Sequence, residues 1–313
     1  MTEQELLEPV STATATDSKW IGGISPDQPV CAVASRVLGA RLKAVFRSLP
    51  LAAEKSDEDV EHVHQLRISV RRAVEAVRVF SGLMEETEVR ALRDRLQRIR
   101  LAADEARNWD VMCERFSQGS CEDITATIVE QIKSHRKEAQ GPIVAIYEEI
   151  TGDTCEAKIE RLVQEIESHD NGEGKRRFRR QVHRYLNPVV KKFFKAAESD
   201  LATDESLHAL RIRTKKLRYT MEIVAMAFDS AFRSLYRQVS LFQDLLGTVN
   251  DHATVKKVFR DWLSKSEDAV QKAFLEGLLL AEERATKDLQ AAFLATWTPK
   301  VVSTLKREFR AYC

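Results

Sequence analysis

The sequence predicts an all-α protein of two antiparallel helical bundles related by internal duplication, and two observations carry that prediction. Only 11 Gly and 7 Pro are spread over 313 residues, and from Val30 onward apolar residues recur at steps of three and four, the period of an amphipathic helix. One basic pattern also occurs twice, as His64-Gln65-Leu66-Arg67-Ile68-Ser69-Val70-Arg71-Arg72 and as His208-Ala209-Leu210-Arg211-Ile212-Arg213-Thr214-Lys215-Lys216. His, a first Arg and a pair of cations hold the same offsets in both copies. Pseudo-two-fold packing of two such halves would bring the two repeated helices towards each other.

Residues 1–28, with Ser11-Thr12-Ala13-Thr14-Ala15-Thr16 and Gly22-Gly23, read as a loose polar tail. Helices are expected near 30–49, 58–83, 86–117, 120–150 and 154–169, then near 175–198, 205–228, 230–247, 251–264, 266–296 and 298–312. Ser56-Asp57-Glu58-Asp59 and Thr203-Asp204-Glu205 place capping and acidic residues ahead of the two repeated helices, which are expected to start alike. The polar, Gly-containing link His169-Asp170-Asn171-Gly172-Glu173-Gly174 divides the chain into a first bundle of about 29–169 and a second of about 175–312. Leu245-Leu246-Gly247 reads as a helix C-terminus. Arg107-Asn108-Trp109-Asp110-Val111 and Asn250-Asp251-His252-Ala253-Thr254 are then expected to follow long helices. Their polar groups would cap the next helix, the preferred reading, or orient arginines of the repeated helices from behind.

Composition narrows the function classes. A hydrophobic content of 43% suffices for a buried core, and 49 Lys plus Arg against 48 Asp plus Glu gives a net charge of +1. That near-neutral total is a sum of opposed patches, since the region around Glu148, Glu149, Asp153, Glu156, Glu160, Glu165 and Glu167 is acidic while other segments hold no acid. Cys31, Cys113, Cys121, Cys155 and Cys313 are odd in number and far apart, without zinc-ligand spacing, which points to a reducing compartment. The first residues lack a signal-peptide pattern, and no stretch reaches the roughly 18 apolar residues of a membrane span. A soluble cytoplasmic protein is expected.

On a helix, residues three or four apart share a face. His64, Arg67, Arg71 and Arg78 form one cationic stripe, opposite Leu66, Val70, Ala73, Val77 and Phe80. His208, Arg211, Lys215 and Arg218 form the other, opposite Leu210, Thr214, Leu217, Met221 and Val224, and Val74 stands where the second copy has Arg218. Arg176, Arg177, Arg179, Arg180, Arg184, Lys191, Lys192 and Lys195 are expected on one acid-free helix, with Arg36, Arg41, Lys43 and Arg47 as their counterpart in the first half.

Like charges on one helix face cost a few tenths of a kcal/mol per pair. Their retention makes sense if an anion neutralises them; the plainer alternative is solvated faces paired with acids elsewhere. Phosphate suits the guanidinium fork, and a chain of phosphates would meet successive cations along a groove. Nucleic-acid readers add exposed aromatics or a recognition helix, whereas Phe46, Phe80, Phe178, Phe193, Phe194 and Tyr219 mostly fit core positions, which favours an anion without bases. His64 and His208 lack metal-ligand spacing and any phosphate loop, paired aspartates or nucleophile elbow. Hydrogen bonding to anion oxygens is preferred for them, with simple packing between helices as the alternative.

These residues resemble the CHAD domain, the conserved histidine α-helical domain, whose halves each carry an HxxRxxx(R/K)(R/K) helix followed by an LG-x-x-(R/N)-D segment. The resemblance spans roughly 29–312. It implies pseudo-two-fold bundles around a basic central groove or pore that binds inorganic polyphosphate, often with recruitment to polyphosphate granules. From the residues themselves, no metal, cofactor, membrane or specific nucleic acid is expected. Carried onto this chain, binding would fall on His64, Arg67, Arg71 and Arg72 in the first half and on His208, Arg211, Lys215, Lys216 and Arg218 in the second, and the helical stripe adds Arg78 to the expected site. The first helix of each half, with Arg36, Lys43, Arg180, Arg184 and Lys191, would line the same groove. Two residues depart from the family pattern, Val74 in place of a further Arg and Asn108 where Asp is common, so the second half is expected to bind more strongly. A fused triphosphate-processing CYTH domain is not expected, since no ExExK signature occurs. The expected function is non-catalytic binding of polyphosphate, with other polyanions as further ligands. The alternatives are a polyphosphate- or phosphoester-processing enzyme using His64 or His208, and a helical scaffold for nucleic acid or acidic proteins.

Overall fold

Residues 19–116, 123–151, 155–168 and 172–313 are described by a computed structural model, and every regular element among them is a helix. The expected tail over 1–18, Cys121, Asp153 and the His169-Asp170-Asn171 part of the link lie outside the described residues. The first five helices are α1 (Val30–Glu54), α2 (Glu61–Phe80), α3 (Glu86–Phe116), α4 (Asp123–Thr151) and α5 (Cys155–Glu167). Then come α6 (Val182–Ala197), α7 (Asp204–Val224), α8 (Ser230–Lys265), α9 (Ala269–Thr296) and α10 (Pro299–Phe309). The helices α1 to α4 pack in succession and α5 returns to α1, while α6 to α9 pack in succession and α10 returns to α6. The two repeated helices, α2 and α7, also touch each other.

The apolar faces read from the sequence are the buried ones. Leu66, Val70, Ala73, Val77 and Phe80 of α2 and Leu210, Thr214, Leu217, Met221 and Val224 of α7 are all buried within one core that runs through both halves. Burying each large apolar side chain contributes about 1.5–3 kcal/mol, so the rotation of both helices is strongly fixed. Most of each cationic stripe is thereby turned away from that core, although Arg211 is itself buried. No helix among the described residues is long and apolar enough to cross a membrane.

Five local expectations are corrected. Gly247 does not end a helix: α8 runs unbroken from Ser230 to Lys265, and only Gly23 among the described residues takes the positive φ that a C-cap glycine would show. An interior glycine costs about 1 kcal/mol, and burial of Leu246 and Val249 on either side of it holds the helix together. Arg107-Asn108-Trp109-Asp110 likewise lies inside α3 and Asn250-Asp251 inside α8, so neither segment caps a helix. Nor does the basic run from Arg176 to Lys195 form one helix. Arg177 is extended, Phe178–Arg180 is a 3-10 turn and α6 starts only at Val182, because the 174–179 backbone bonds to the chain before α1. Val30 N–H donates to Arg176 O at 2.9 Å and Phe178 N–H to Gln28 O at 2.9 Å.

The same pairing ties down residues 19–28, expected as part of a loose tail. Ile21 and Ile24 are buried, and Trp20 meets Tyr236 edge to face at 4.9 Å. Finally, the repeated helices begin differently. Thr203 Oγ1 accepts the Ser206 N–H at 3.2 Å in a capping box, whereas α2 follows Val60, which has no side-chain acceptor, and Asp59 Oδ1 takes the Glu61 N–H instead.

Candidate functional site

The polar faces of α2 and α7 open into a groove of about 840 Å3 whose other walls are α3 and α8. Arg67, Arg71 and Arg78 line it from α2, and His208, Arg211, Lys215 and Lys216 from α7. From α3 come Arg93, Arg100, Asp104 and Asn108, and from α8 Asn250 and Thr254. Eight Arg and Lys side chains thus face three carboxylates, those of Glu75, Asp94 and Asp104.

The two repeated helices differ in how that charge is balanced. Arg67 Nε donates to Asp104 Oδ1 at 2.8 Å and Arg71 Nη2 to the same oxygen at 2.5 Å. Burial would raise the Asp104 carboxyl, but Arg71 and then Arg67, through charge and hydrogen bonding, hold it below its usual value. The α2 side therefore carries its own counter-charge. On α7, no hydrogen bond or ion pair reaches Arg211 or Lys215 among the described residues, and the buried Nε of Arg211 has no partner. Burial lowers the Arg211 pKa to about 10, with Asp251 offsetting part of the effect. Burial and then Arg211, Arg71 and Arg67 push Lys215 down to about 5. Lys216 is lowered too, by burial and by Arg78. Cations this desolvated are costly unless an anion reaches them.

His208 donates from Nδ1 to Asn250 Oδ1 at 3.0 Å. Asn250 thus orients a residue of the stripe, the alternative to capping. His64 is half-buried, does not line the groove, and has no partner on Nδ1. Burial lowers its pKa; Glu61 opposes that shift, and Arg107 and Arg67 add to it.

Of the residues singled out from the sequence, Arg67, Arg71, Arg78, His208, Arg211, Lys215 and Lys216 converge on the groove. Arg72 and Arg218 do not line it. Glu222 is buried and draws them away: Arg72 Nε reaches Glu222 Oε2 at 2.8 Å, Arg218 Nη1 lies 3.5 Å from Oε1, and Arg41 stands 3.9 Å away. Arg218 also donates to Gln243 at 2.7 Å. Arg36, Lys43, Arg180, Arg184 and Lys191, expected to line the same groove, stand elsewhere. Helices α1 and α6 pack against α2 and α7, and Arg36, Arg180, Arg184 and Lys191 are exposed away from that contact. Lys43 pairs with Glu160 at 3.6 Å, Arg184 with Glu173 at 3.1 Å, and the exposed Arg36 guanidinium lies beside Gly23.

The sequence reading missed the α3 wall. Arg93, Gln97, Arg100, Asp104 and Asn108 recur at steps of four, three, four and four, which is a helical stripe in its own right. Attention to the repeated His pattern hid it. Among the described residues no three His, Cys, Asp or Glu side chains gather as a metal site.

Comparison with known proteins agrees with this geometry. The family model described as CHAD domain matches residues 36–260. No curated protein matches the chain. Among solved structures, the fold is similar to the crystal structure of the CHAD domain from the plant Ricinus communis, with a TM-score of 0.66 and 21% identity over 87% of this chain and 94% of that one. It is also similar to PptA from Streptomyces chartreusis, with a TM-score of 0.60 and 16% identity over 86% of this chain and 99% of that one. The family match runs from α1 to near the end of α8 and takes in all four groove walls, and on that ground the chain belongs to the CHAD domain family.

Proposed function

We propose that the protein binds inorganic polyphosphate in the groove between α2, α3, α7 and α8 without transforming it. The observation that carries this reading is the pair Arg211 and Lys215, buried basic groups that no carboxylate touches, the first charged and the second ready to take a proton when an anion arrives. A bound polyanion would supply the missing counter-charge to both, and guanidinium groups match phosphate oxygens bidentately. A linear chain of phosphates can meet these cations in succession as it passes along the helices. On this reading the two halves are copies of one ancestral bundle related by a pseudo-two-fold. The repeated packing order supports that, as does the parallel between Asn250 beside His208 and Arg107 beside His64. Chemistry on the ligand finds little support: His208 is tied to Asn250, and His64 is outside the groove. The same reading places the protein in the cytoplasm, at polyphosphate granules.

The test is a titration of long-chain polyphosphate across a salt series, with single-stranded and duplex nucleic acid as competitors at matched phosphate. About five phosphate contacts at about 0.7 each give a log–log salt slope near −3.5, or about a hundredfold loss of affinity between roughly 50 and 200 mM salt. Arg211→Gln with Lys215→Gln weakens binding strongly, while Lys265→Gln on the far end of α8 leaves it unchanged. Absence of binding at low salt overturns the proposal. Release of phosphate that disappears with His208→Gln makes the protein an enzyme instead.

A further inference from the structure

A second cationic surface lies outside the groove. Between α6 and α10 sits a cleft of about 420 Å3, lined by Lys191, Lys195, Lys306 and Arg310, with Glu198 as its one carboxylate side chain. Lys306 takes up that carboxylate, and its ammonium also lies 5.8 Å from the centre of the Phe194 ring. No side-chain hydrogen bond or ion pair among the described residues engages Lys191, Lys195 or Arg310. Helix α6 has no acidic residue from Val182 to Ala197, although like charges along one face repel.

The cleft and the groove are joined by cations. Lys216 lines the groove. After burial and Arg78, the charges that press on its ammonium include Lys192 of α6 and Arg213 of α7. Lys195 follows Lys192 by three residues, on the same side of α6, and it already lines the cleft. Positive charge therefore continues from Lys216 past Arg213 and Lys192 to Lys195. Across this path the two helices α6 and α7 pack directly together.

We propose that a polyanion leaving the groove at Lys216 crosses Lys192 and continues into the α6–α10 cleft, which serves as a second subsite for the same chain. This rests on the groove reading and adds chain-length selection to it: a short oligophosphate fills the groove alone, whereas a long one gains contacts in the cleft. A chain that spans both is held by intramolecular capture of its second segment, which raises affinity without changing either subsite.

The experiment compares tripolyphosphate with long-chain polyphosphate on the full chain and on the triple variant Lys192→Gln, Lys195→Gln, Arg310→Gln. All three positions are on the surface, and thermal melts check that the variant folds; the single reversal Lys195→Glu is the second variant should the triple one melt early. The expected result is unchanged tripolyphosphate affinity, about tenfold weaker long-chain binding, and a long-chain salt slope shallower by about 2, from three contacts at about 0.7 each. Equal long-chain affinity and slope in variant and wild type overturn the second subsite while leaving the groove intact. Loss of tripolyphosphate binding together with long-chain binding in the triple variant also overturns it, since the cleft residues would then act on the groove. Failure of the wild type to bind either ligand refutes the groove reading, and the subsite falls with it.

Discussion

Lys215 offers the sharpest quantitative consequence of the groove. Its pKa is pushed to about 5 from an ordinary 10.5 by burial, then by Arg211, Arg71 and Arg67, with Asp104 opposing. In the empty groove at pH 7 only about one molecule in a hundred would carry the ammonium. On the proposed function, a phosphate chain would bring negative charge to within reach of that amine and reverse the balance, so binding would draw a proton from solvent. The sign follows from linkage: the complex holds more protons than the free protein, so affinity rises as pH falls, by up to about tenfold per pH unit for one proton. The window opens at the pKa of the complex and closes near 5, below which the free protein is already protonated. Calorimetric titration at pH 7 in two buffers of different ionisation enthalpy measures the uptake directly. Nearly one proton per complex is expected for the wild type, and that amount less in Lys215→Met. Ligand end groups contribute equally to both proteins, so the difference isolates Lys215. Equal uptake in the two proteins would refute the reasoning, because Lys215 would then be charged before any anion arrives.

Further perturbations probe the same electrostatics. Lys215→Met should stabilise the free protein by about 1–4 kcal/mol; because the unfolded chain keeps the proton up to about 10.5, the gain measured by thermal melts should be larger at pH 6 than at pH 9. Glu222→Gln should cost about 3–5 kcal/mol in urea unfolding, since Arg72, Arg218 and Arg41 lose the carboxylate they share. Asp104→Asn should strengthen polyphosphate binding about tenfold by freeing Arg67 and Arg71 from their internal anion, as read by titration at fixed salt. Gly247→Asp should weaken it by a similar factor: Gly247 precedes Asn250 and Thr254 on the groove face of α8, and an added Cβ there meets nothing within 4 Å.

Periodicity made the helices and both buried faces readable, because burial of Leu66, Val70, Leu210 or Met221 is decided by the helical repeat alone. Where two neighbours compete for one side chain, pattern was not enough. Arg72 follows Arg71 directly, and only the buried position of Glu222, brought from another helix, decides that Arg72 turns away from the groove. The same holds for the first helices: Lys43 and Arg184 are cationic in sequence, but their distance from the groove is set by how α1 and α6 pack against α2 and α7. Gly247 and the Asn250 segment misled because a glycine beside polar residues reads as a helix end, while packing of Leu246 and Val249 carries α8 straight through.

The asymmetry between the halves changes its origin once side chains are placed. From the sequence, Val74 deprives the first stripe of a cation that Arg218 gives the second. In the structure Val74 does line the groove, but Arg218 turns to Gln243 and Glu222, so the second stripe gains nothing at that position. The difference lies instead one helix away, on the walls that face each stripe. Asp104 stands three residues before Arg107 and neutralises Arg67 and Arg71; three residues before Asn250 stands Gly247, with no side chain to offer Arg211 and Lys215. A groove with one half internally balanced and the other left unpaired would meet an incoming anion first on α7. Asp104 would then compete with the ligand on α2, and the first half would contribute mainly where a phosphate displaces or shares that carboxylate. On the proposed function, an unequal affinity of the two halves would be set by a missing carboxylate on α8 rather than by a missing arginine on α2.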